Sequence, residues 1–194
     1  MYEYIKGSLV EITPTEAIVE AAGIGWRLLI SLQTYDKLRS MKEVKVYAYH
    51  HLREDDEALY GFYDREERRL FELLIGVSGV GAGTARLVLS ALSSEEFTAA
   101  IVAGDVAKIK AVKGIGLKTA QKIIIELKDK VSKEKGAEIS LAGSASNASR
   151  GSAVTALVML GFAKAASEKA VDQVLKADPA LEIEDIIKKS LKLL

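Results

Sequence analysis

Two periodicities run along the chain. From Tyr2 to Phe62, β-branched and aromatic residues fall in short runs: "YEYIKGSLVEI", "EAIVEA", "GWRLLISL", "VKVYAYHHL" and "ALYGF". "TPT", "AAGIG" and the helical-looking "QTYDKLRSM" break them up, so five short strands are expected, with a helix inserted before the fourth. From Asp64 the period lengthens to that of a helix. Leu70, Phe71, Leu74 and Ile75 share one face of "REERRLFELLIGV", which Asp64 and Glu67 open as a capping pair. Glycines 76, 79, 81 and 83 stop that helix, and "TARLVLSAL" starts the next. Ser93 or Ser94 caps "EEFTAAIVAG", "DVAKIKAV" runs into a second glycine turn, and the long amphipathic "LKTAQKIIIELKDKV" follows. In "GAEISLAGSASNASR" both periods fade: ten of its fifteen residues are Gly, Ala or Ser, which is linker composition. Beyond it lie three helical patterns, separated by Gly161-Phe162 and Asp178-Pro179.

These patterns predict a multidomain α+β protein. Residues 1–62 suit a five-stranded Greek-key barrel of the OB-fold type, since a sandwich usually needs more strands. Residues 63–135 read as helix, glycine hairpin, helix, present twice. Residues 136–150 read as a flexible linker, and 151–194 as a miniature three-helix, UBA-like domain on that tether.

Composition narrows the chemistry. Cysteine is absent among the 194 residues, which excludes disulfides, thiolate zinc sites and a cysteine nucleophile. The start "MYEYIKGSLVEI" has an early acid and no apolar h-region, and "AVTALVMLGFA" is too short to cross a bilayer. A soluble, cytoplasmic protein with no membrane partner is expected. The net charge of zero hides an asymmetry. Residues 1–62 carry 7 Lys plus Arg against 10 Asp plus Glu, 63–135 carry 13 against 10, and the remainder 7 against 7. The glycine turns lie in the one basic segment, where anion binding is favoured.

Those turns are copies. "VSGVGAGTARL" and "VKGIGLKTAQK" pair Gly79 with Gly114, Gly81 with Gly116, Thr84 with Thr119 and Ala85 with Ala120, at a constant offset of 35. A G-x-G turn tolerates backbone angles that a Cβ forbids. Its N–H groups and those opening the next helix converge on one point, with the helix dipole behind them, which makes a seat for a phosphate. Lys118, Thr119 and Lys122 stand at the mouth of the second copy, and Gly83, Thr84 and Arg86 at that of the first. Such contacts read backbone and not bases. A P-loop is excluded, because "GIGLKT" has one residue between its glycines and a leucine before Lys118. A dinucleotide fingerprint fails on spacing and on the helix that precedes the turn. The bland alternative is a glycine-ended helix with no ligand. Two copies in register within the basic segment favour phosphate.

At these residues the chain resembles a known family. "SGVGAGTARLVL" and "KGIGLKTAQKIIIELKDK" are similar to a tandem helix-hairpin-helix pair. The order of barrel, paired hairpins, loose linker and three-helix tail resembles the RuvA family, as does "HLREDDEALYGFYDREERRLFELLI" with its R-E-D and L-Y-G-F. The resemblance covers the whole chain. It implies a homotetramer, alone or paired around DNA, that holds a four-way (Holliday) junction open and planar during recombination and repair. It implies RuvB, a hexameric ATPase, as motor and RuvC as resolvase, with no cofactor and no catalysis of its own. It implies that Glu54 and Asp55, with Asp56 and Glu57 adding charge, form an acidic pin at the junction centre. Leu157, Leu160 and Phe162, around the L-G-aromatic turn of the tail, are implied as the contact for the ATPase. Read without the resemblance, the acidic loop is better explained by a solvated hairpin turn.

The chain departs from the family where Gly83 and Leu117 occupy slots that often hold lysine, which predicts more grip from backbone N–H groups and less from side-chain charge. His50 and His51 are strand neighbours, expected to face core and solvent respectively or the reverse, and not a metal pair. Trp26, Tyr47 and Tyr49 could stack on bases, but core packing is the simpler role. Two other functions stay open at this point: a helix-hairpin-helix glycosylase or nuclease, which needs a catalytic Asp or Lys in a deep pocket, and a single-strand-binding barrel.

Overall fold

The computed structural model describes residues 2–54, 57–140, 145–178 and 181–194 of the chain. It divides into two compact units, Met1–Ser132 and Lys133–Leu194.

The first unit opens with five strands: β1 (Tyr4–Ile12), β2 (Glu16–Ala21), β3 (Ile24–Ile30), β4 (Glu43–Leu52) and β5 (Glu57–Phe62). They close into a barrel in the order β1-β2-β3-β5-β4. Helix α1 (Leu32–Leu38) lies between β3 and β4, where its pattern was expected. The pairings are antiparallel except the short parallel contact of β3 with β5, Leu29 opposite Tyr60, which completes the closure. Ile5, Ala17, Val19, Leu28, Ile30, Val44, Val46 and Ala48 alternate inward, and Leu38 of α1 plugs the interior. Gly61 explains one letter of the L-Y-G-F run: a Cβ there would stand 2.8 Å from Val46 Cγ1 and 2.9 Å from Leu28 Cβ. The barrel wall is too close to admit one.

Helices α2 (Arg65–Ile75), α3 (Ala82–Ala91), α4 (Ser94–Ala103), α5 (Val106–Lys110) and α6 (Leu117–Ser140) follow. Ser93 caps α4 in a complete capping box with Glu96. At α2 only half of the expected box forms. The Asp64 carboxylate accepts from Glu67 N–H at 2.8 Å, but the Glu67 side chain turns away from the cap and toward the start of α1.

That side chain is buried, at 2% exposure. Ser31 Oγ and Thr34 Oγ1 both donate to it, the latter at 2.6 Å. Each hydroxyl also accepts a backbone N–H, Ser31 from Thr34 at 3.0 Å and Thr34 from Tyr63 at 2.9 Å. Their protons are thereby directed at Glu67, which must accept at both oxygens. Around this joint the aromatic rings of β4 and β5 pack on α2. Tyr60, Phe62 and Tyr49 lie 4.9, 5.0 and 5.3 Å from the Phe71 ring. The strand that closes the barrel thus belongs equally to the helical core. Arg68 adds a clamp, donating to the Glu3 carbonyl and carboxylate at 2.9 Å each.

The second unit contains α7 (Ala145–Met159), α8 (Lys164–Ala177) and α9 (Ile183–Leu191). They bury Ala153, Val154, Leu157, Val171, Val174 and Ile186, and Arg150 pairs with Asp172. The composition of 136–150 predicts a linker, yet 136–140 and 145–150 are helical, continuing α6 and opening α7. Alanine weakens a linker reading because it is also the best helix former. Among the described residues no helix is long and apolar enough to cross a membrane.

Burial raises the Glu67 carboxyl above its ordinary 4.5, against the pull of the two hydroxyls. The native state therefore holds this proton more tightly than the unfolded chain does. The group's contribution to stability falls as pH rises from 4.5 through the raised value. Glu67→Gln removes that dependence, so the wild type should lose stability relative to this variant as pH rises, measured by thermal unfolding. Glu67→Leu fills similar space but strands two buried hydroxyl protons, and should cost about 2–4 kcal/mol.

Candidate nucleic-acid interface

The two hairpins share one backbone. At the exit of the leading helix, Gly76 N–H bonds to Glu72 O and Val77 N–H to Leu74 O; 35 residues on, Ala111 N–H bonds to Ala107 O and Val112 N–H to Ile109 O. In the turn, Val80 N–H reaches Val77 O at 3.0 Å and Ile115 N–H reaches Val112 O at 3.1 Å. The following helix opens with Ala85 N–H on Gly81 O and Ala120 N–H on Gly116 O, both at 2.9 Å. Val77 and Val80, like Val112 and Ile115, anchor each turn in the core. The duplication read from sequence is a duplication of hydrogen bonds.

The paired glycines do different work. Gly79 and Gly114 stand at φ +92° and +89°, the left-handed region that a side chain resists. Gly81 and Gly116 are not at positive φ, and a Cβ on either would meet nothing within 4 Å. The expectation that both glycines of each G-x-G serve unusual backbone angles is therefore corrected: only the first does. Among the described residues nothing crowds the second, which sits exposed where the next helix begins. Gly81 is the exposed N-cap of α3, with no side-chain cap bond, so the first N–H groups of that helix have no side-chain acceptor at the positive end of its dipole.

The side chains differ between copies. Lys118 is exposed and Thr119 half-buried at the start of α6; Lys122 lies one turn on, 3.8 Å from Glu126. Lys113 is also exposed, beside Gly114 in the same turn. In the first copy Gly83 and Thr84 lie in the opening turn of α3. Arg86 instead reaches the barrel, donating to the Thr15 carbonyl at 3.2 Å. Leu117 is half exposed at the second mouth.

Of the acidic turn between β4 and β5, Glu54 is exposed; Asp55 and Asp56 lie outside the described residues. Glu57 starts β5 and its carboxylate lies 2.9 Å from His50 Nε2. The histidines do not divide into core and solvent: both are half-buried, His50 beside Tyr2 and His51 against Tyr49 and Tyr60. Trp26, Tyr47 and Tyr49 pack against the two cores. Among the described residues no three His, Asp or Glu side chains gather where they could hold a metal ion.

In the second unit Leu157 is fully buried, which removes it from any contact surface. It is the apolar residue of that turn that faces α8 and α9. Leu160 and Phe162 are exposed, and Met159, 84% exposed, joins them. Gly161 turns the chain between them at φ +100°.

Comparison with known proteins matches three family models along the chain. These are the RuvA N terminal domain over residues 1–61, the SAM-like helix-hairpin-helix tandem over 71–129, and the RuvA C-terminal domain over 148–194. The chain is 48% identical over 200 residues to a protein of Parabacteroides distasonis, covering 100% of both. It is 46% identical over 200 residues to one of Bacteroides thetaiotaomicron, covering 99% of each. A protein of Bacteroides fragilis is 45% identical over 199 residues, again 99% of each. All three carry the name Holliday junction branch migration complex subunit RuvA.

The glycine pairs can be separated by stability. Gly79→Ala and Gly114→Ala should each cost about 1–2 kcal/mol, because the left-handed backbone is retained against a Cβ. Gly81→Asp and Gly116→Asp supply a helix N-cap carboxylate in open space and should leave the unfolding temperature unchanged or raised. Thermal unfolding of the four variants checks the contrast.

Proposed function

The chain belongs to the RuvA family, and on that premise we propose that it is the junction-binding subunit of a branch-migration complex, gripping four-way DNA without regard to sequence. The observation that carries this reading is the pair of hairpins with one backbone, each opening a helix at a glycine that the fold itself does not need. A phosphate oxygen needs the space that a Cβ would take, together with several N–H groups converging on it. Two such seats on one rigid unit match two phosphates of a backbone. Gly79, Gly81, Gly83 and Thr84 would form one seat and Gly114, Gly116, Lys118, Thr119 and Lys122 the other. Neither reads a base, so affinity comes with no sequence preference.

Structural selectivity would come from repulsion. Assembled as a homotetramer, the chain brings four copies of the turn holding Glu54 and Asp55 toward the symmetry axis. Carboxylates there act on DNA phosphates within about 8–10 Å, the screening length in physiological salt. Continuous duplex is disfavoured across that centre, while a junction, whose strands part there, is accepted. The junction is held open and planar as a result. In this reading the protein carries out no reaction. It recruits a RuvB-type ATPase as motor, hands the junction to a RuvC-type resolvase, and works in the cytoplasm. The motor contact falls to Leu160 and Phe162, with Met159 in place of the buried Leu157.

Binding measured by fluorescence anisotropy on four-way junction, duplex and single strand tests the core of the proposal. Junction should be preferred, and Gly81→Asp with Gly116→Asp should lower junction affinity at least tenfold while the fold stays intact. The carboxylate would occupy the N–H groups and repel the phosphate. Undiminished binding by that stable variant would refute the phosphate seats. Glu54→Gln with Asp55→Asn should raise duplex affinity and spare the junction. For the tail, Phe162→Ala should abolish stimulation of branch migration by the ATPase partner while junction binding and helical circular dichroism persist.

A further inference from the structure

The offset of 35 that aligns the hairpin backbones also aligns positions where the two repeats differ. Arg86 corresponds to Gln121 and Ser90 to Ile125. In the first repeat both side chains are engaged with the barrel. Arg86 Nη1 donates to Thr15 O at 3.2 Å, in the turn between β1 and β2, on a carbonyl that already accepts Ile30 N–H at 3.0 Å. One helical turn on, Ser90 Oγ donates to Arg86 O at 2.8 Å and accepts Leu32 N–H at 3.1 Å. Leu32 is the first residue of α1, so its N–H has no acceptor inside that helix, and Ser90 supplies one from outside. In the second repeat Gln121 is exposed and Ile125 is 75% exposed.

Charge is distributed the other way. Lys113, Lys118 and Lys122 of the second repeat correspond to Ser78, Gly83 and Leu87 of the first. Lys113 and Lys118 are exposed. Arg86 is the basic residue nearest the first glycine turn in sequence, and its guanidinium donates to the barrel.

We propose that the two hairpins divide the work of holding one DNA backbone: Arg86 is a positioning residue that, with Ser90, keys the first hairpin to the barrel as a fixed seat built from backbone N–H groups, while the lysines of the second hairpin carry the salt-dependent grip. The inference rests on the phosphate-seat reading and goes beyond it by removing Arg86 from the phosphate contacts. The physical ground is that α3 is the element which both opens the first seat and is tied to the barrel at two points. The angle between that seat and the acidic turn is set there.

Salt dependence separates a positioning residue from a phosphate contact. Each phosphate that is no longer neutralised lowers the slope of log affinity against log salt by about 0.9, whereas breaking an internal hydrogen bond leaves the slope alone. With the full-length protein and a four-way junction titrated at several salt concentrations, Lys118→Ala with Lys122→Ala should reduce the slope by roughly 0.9 for each phosphate those lysines neutralise. Arg86→Ala should leave the slope unchanged and lower affinity at every salt by a constant factor, about three- to tenfold for one internal hydrogen bond. Ser90→Ala, which touches no charge, should give the same parallel drop in affinity and serves as the second variant if Arg86→Ala fails to fold. A drop in slope for Arg86→Ala comparable with that of a lysine variant would overturn the proposal. So would wild-type affinity for Ser90→Ala. Absence of junction preference in the wild type would instead remove the underlying reading, a result distinguishable from either.

Discussion

The architecture of the first unit depends on the joint between the closing strand of the barrel and the first helix after it. Phe71 collects rings from β4 and β5, and Glu67 beneath it is bound by two hydroxyls of the barrel's own helix region. A hydrophobic contact alone would permit sliding between barrel and helices. A buried carboxyl group does not, since moving it would leave a buried polar group without its hydrogen-bond partners. The joint therefore makes one body of two folds. The relation between barrel and glycine hairpins is held by this joint together with the Arg86 and Ser90 contacts of α3.

On that body the repeated hairpin shows how much of a motif is backbone. The hydrogen bonds of the two turns coincide at every paired position, and their first glycines differ by 3° in φ, from 92° to 89°. Side chains have diverged around this constant frame. One copy faces the barrel and uses Arg86 and Ser90 for docking; the other carries Lys113, Lys118 and Lys122. A seat made of N–H groups tolerates such divergence, because the peptide dipoles are the same whatever side chains accompany them.

The second unit illustrates the opposite limit. Three short helices bury a small apolar core, and little apolar surface can be covered by a domain of that size. Met159, Leu160 and Phe162 remain outside around the Gly161 turn. Leu157 follows the helical period inward, whereas Met159, Leu160 and Phe162 fall where the helix ends and stay exposed among the described residues.

Much of this was legible in the sequence. Strand alternation, the helical period and the 35-residue offset are local properties, so the five strands, the inserted helix and the duplicated hairpin follow from neighbouring residues alone. Glu67 was legible only in part. Its spacing from Asp64 indicates a capping box, and the backbone half of that box forms, but the side chain found better donors 36 and 33 residues away. The same holds for Arg86, whose place beside a glycine turn suggests a phosphate contact while its partner, Thr15, is 71 residues distant. Residues 136–150 read as a linker, yet 136–140 and 145–150 are helical, because local composition does not say whether a helix has anything to extend. Likewise the G-x-G spacing marks both glycines, but only the folded backbone shows that Gly79 is needed for its angle and Gly81 for neither angle nor space. The sequence by itself determined the elements, their order and the repeat, since those depend on propensity and period. Tertiary structure decided which polar side chains face a ligand and which hold the fold together, because a hydrogen bond goes to whichever partner the packed chain brings within about 3 Å.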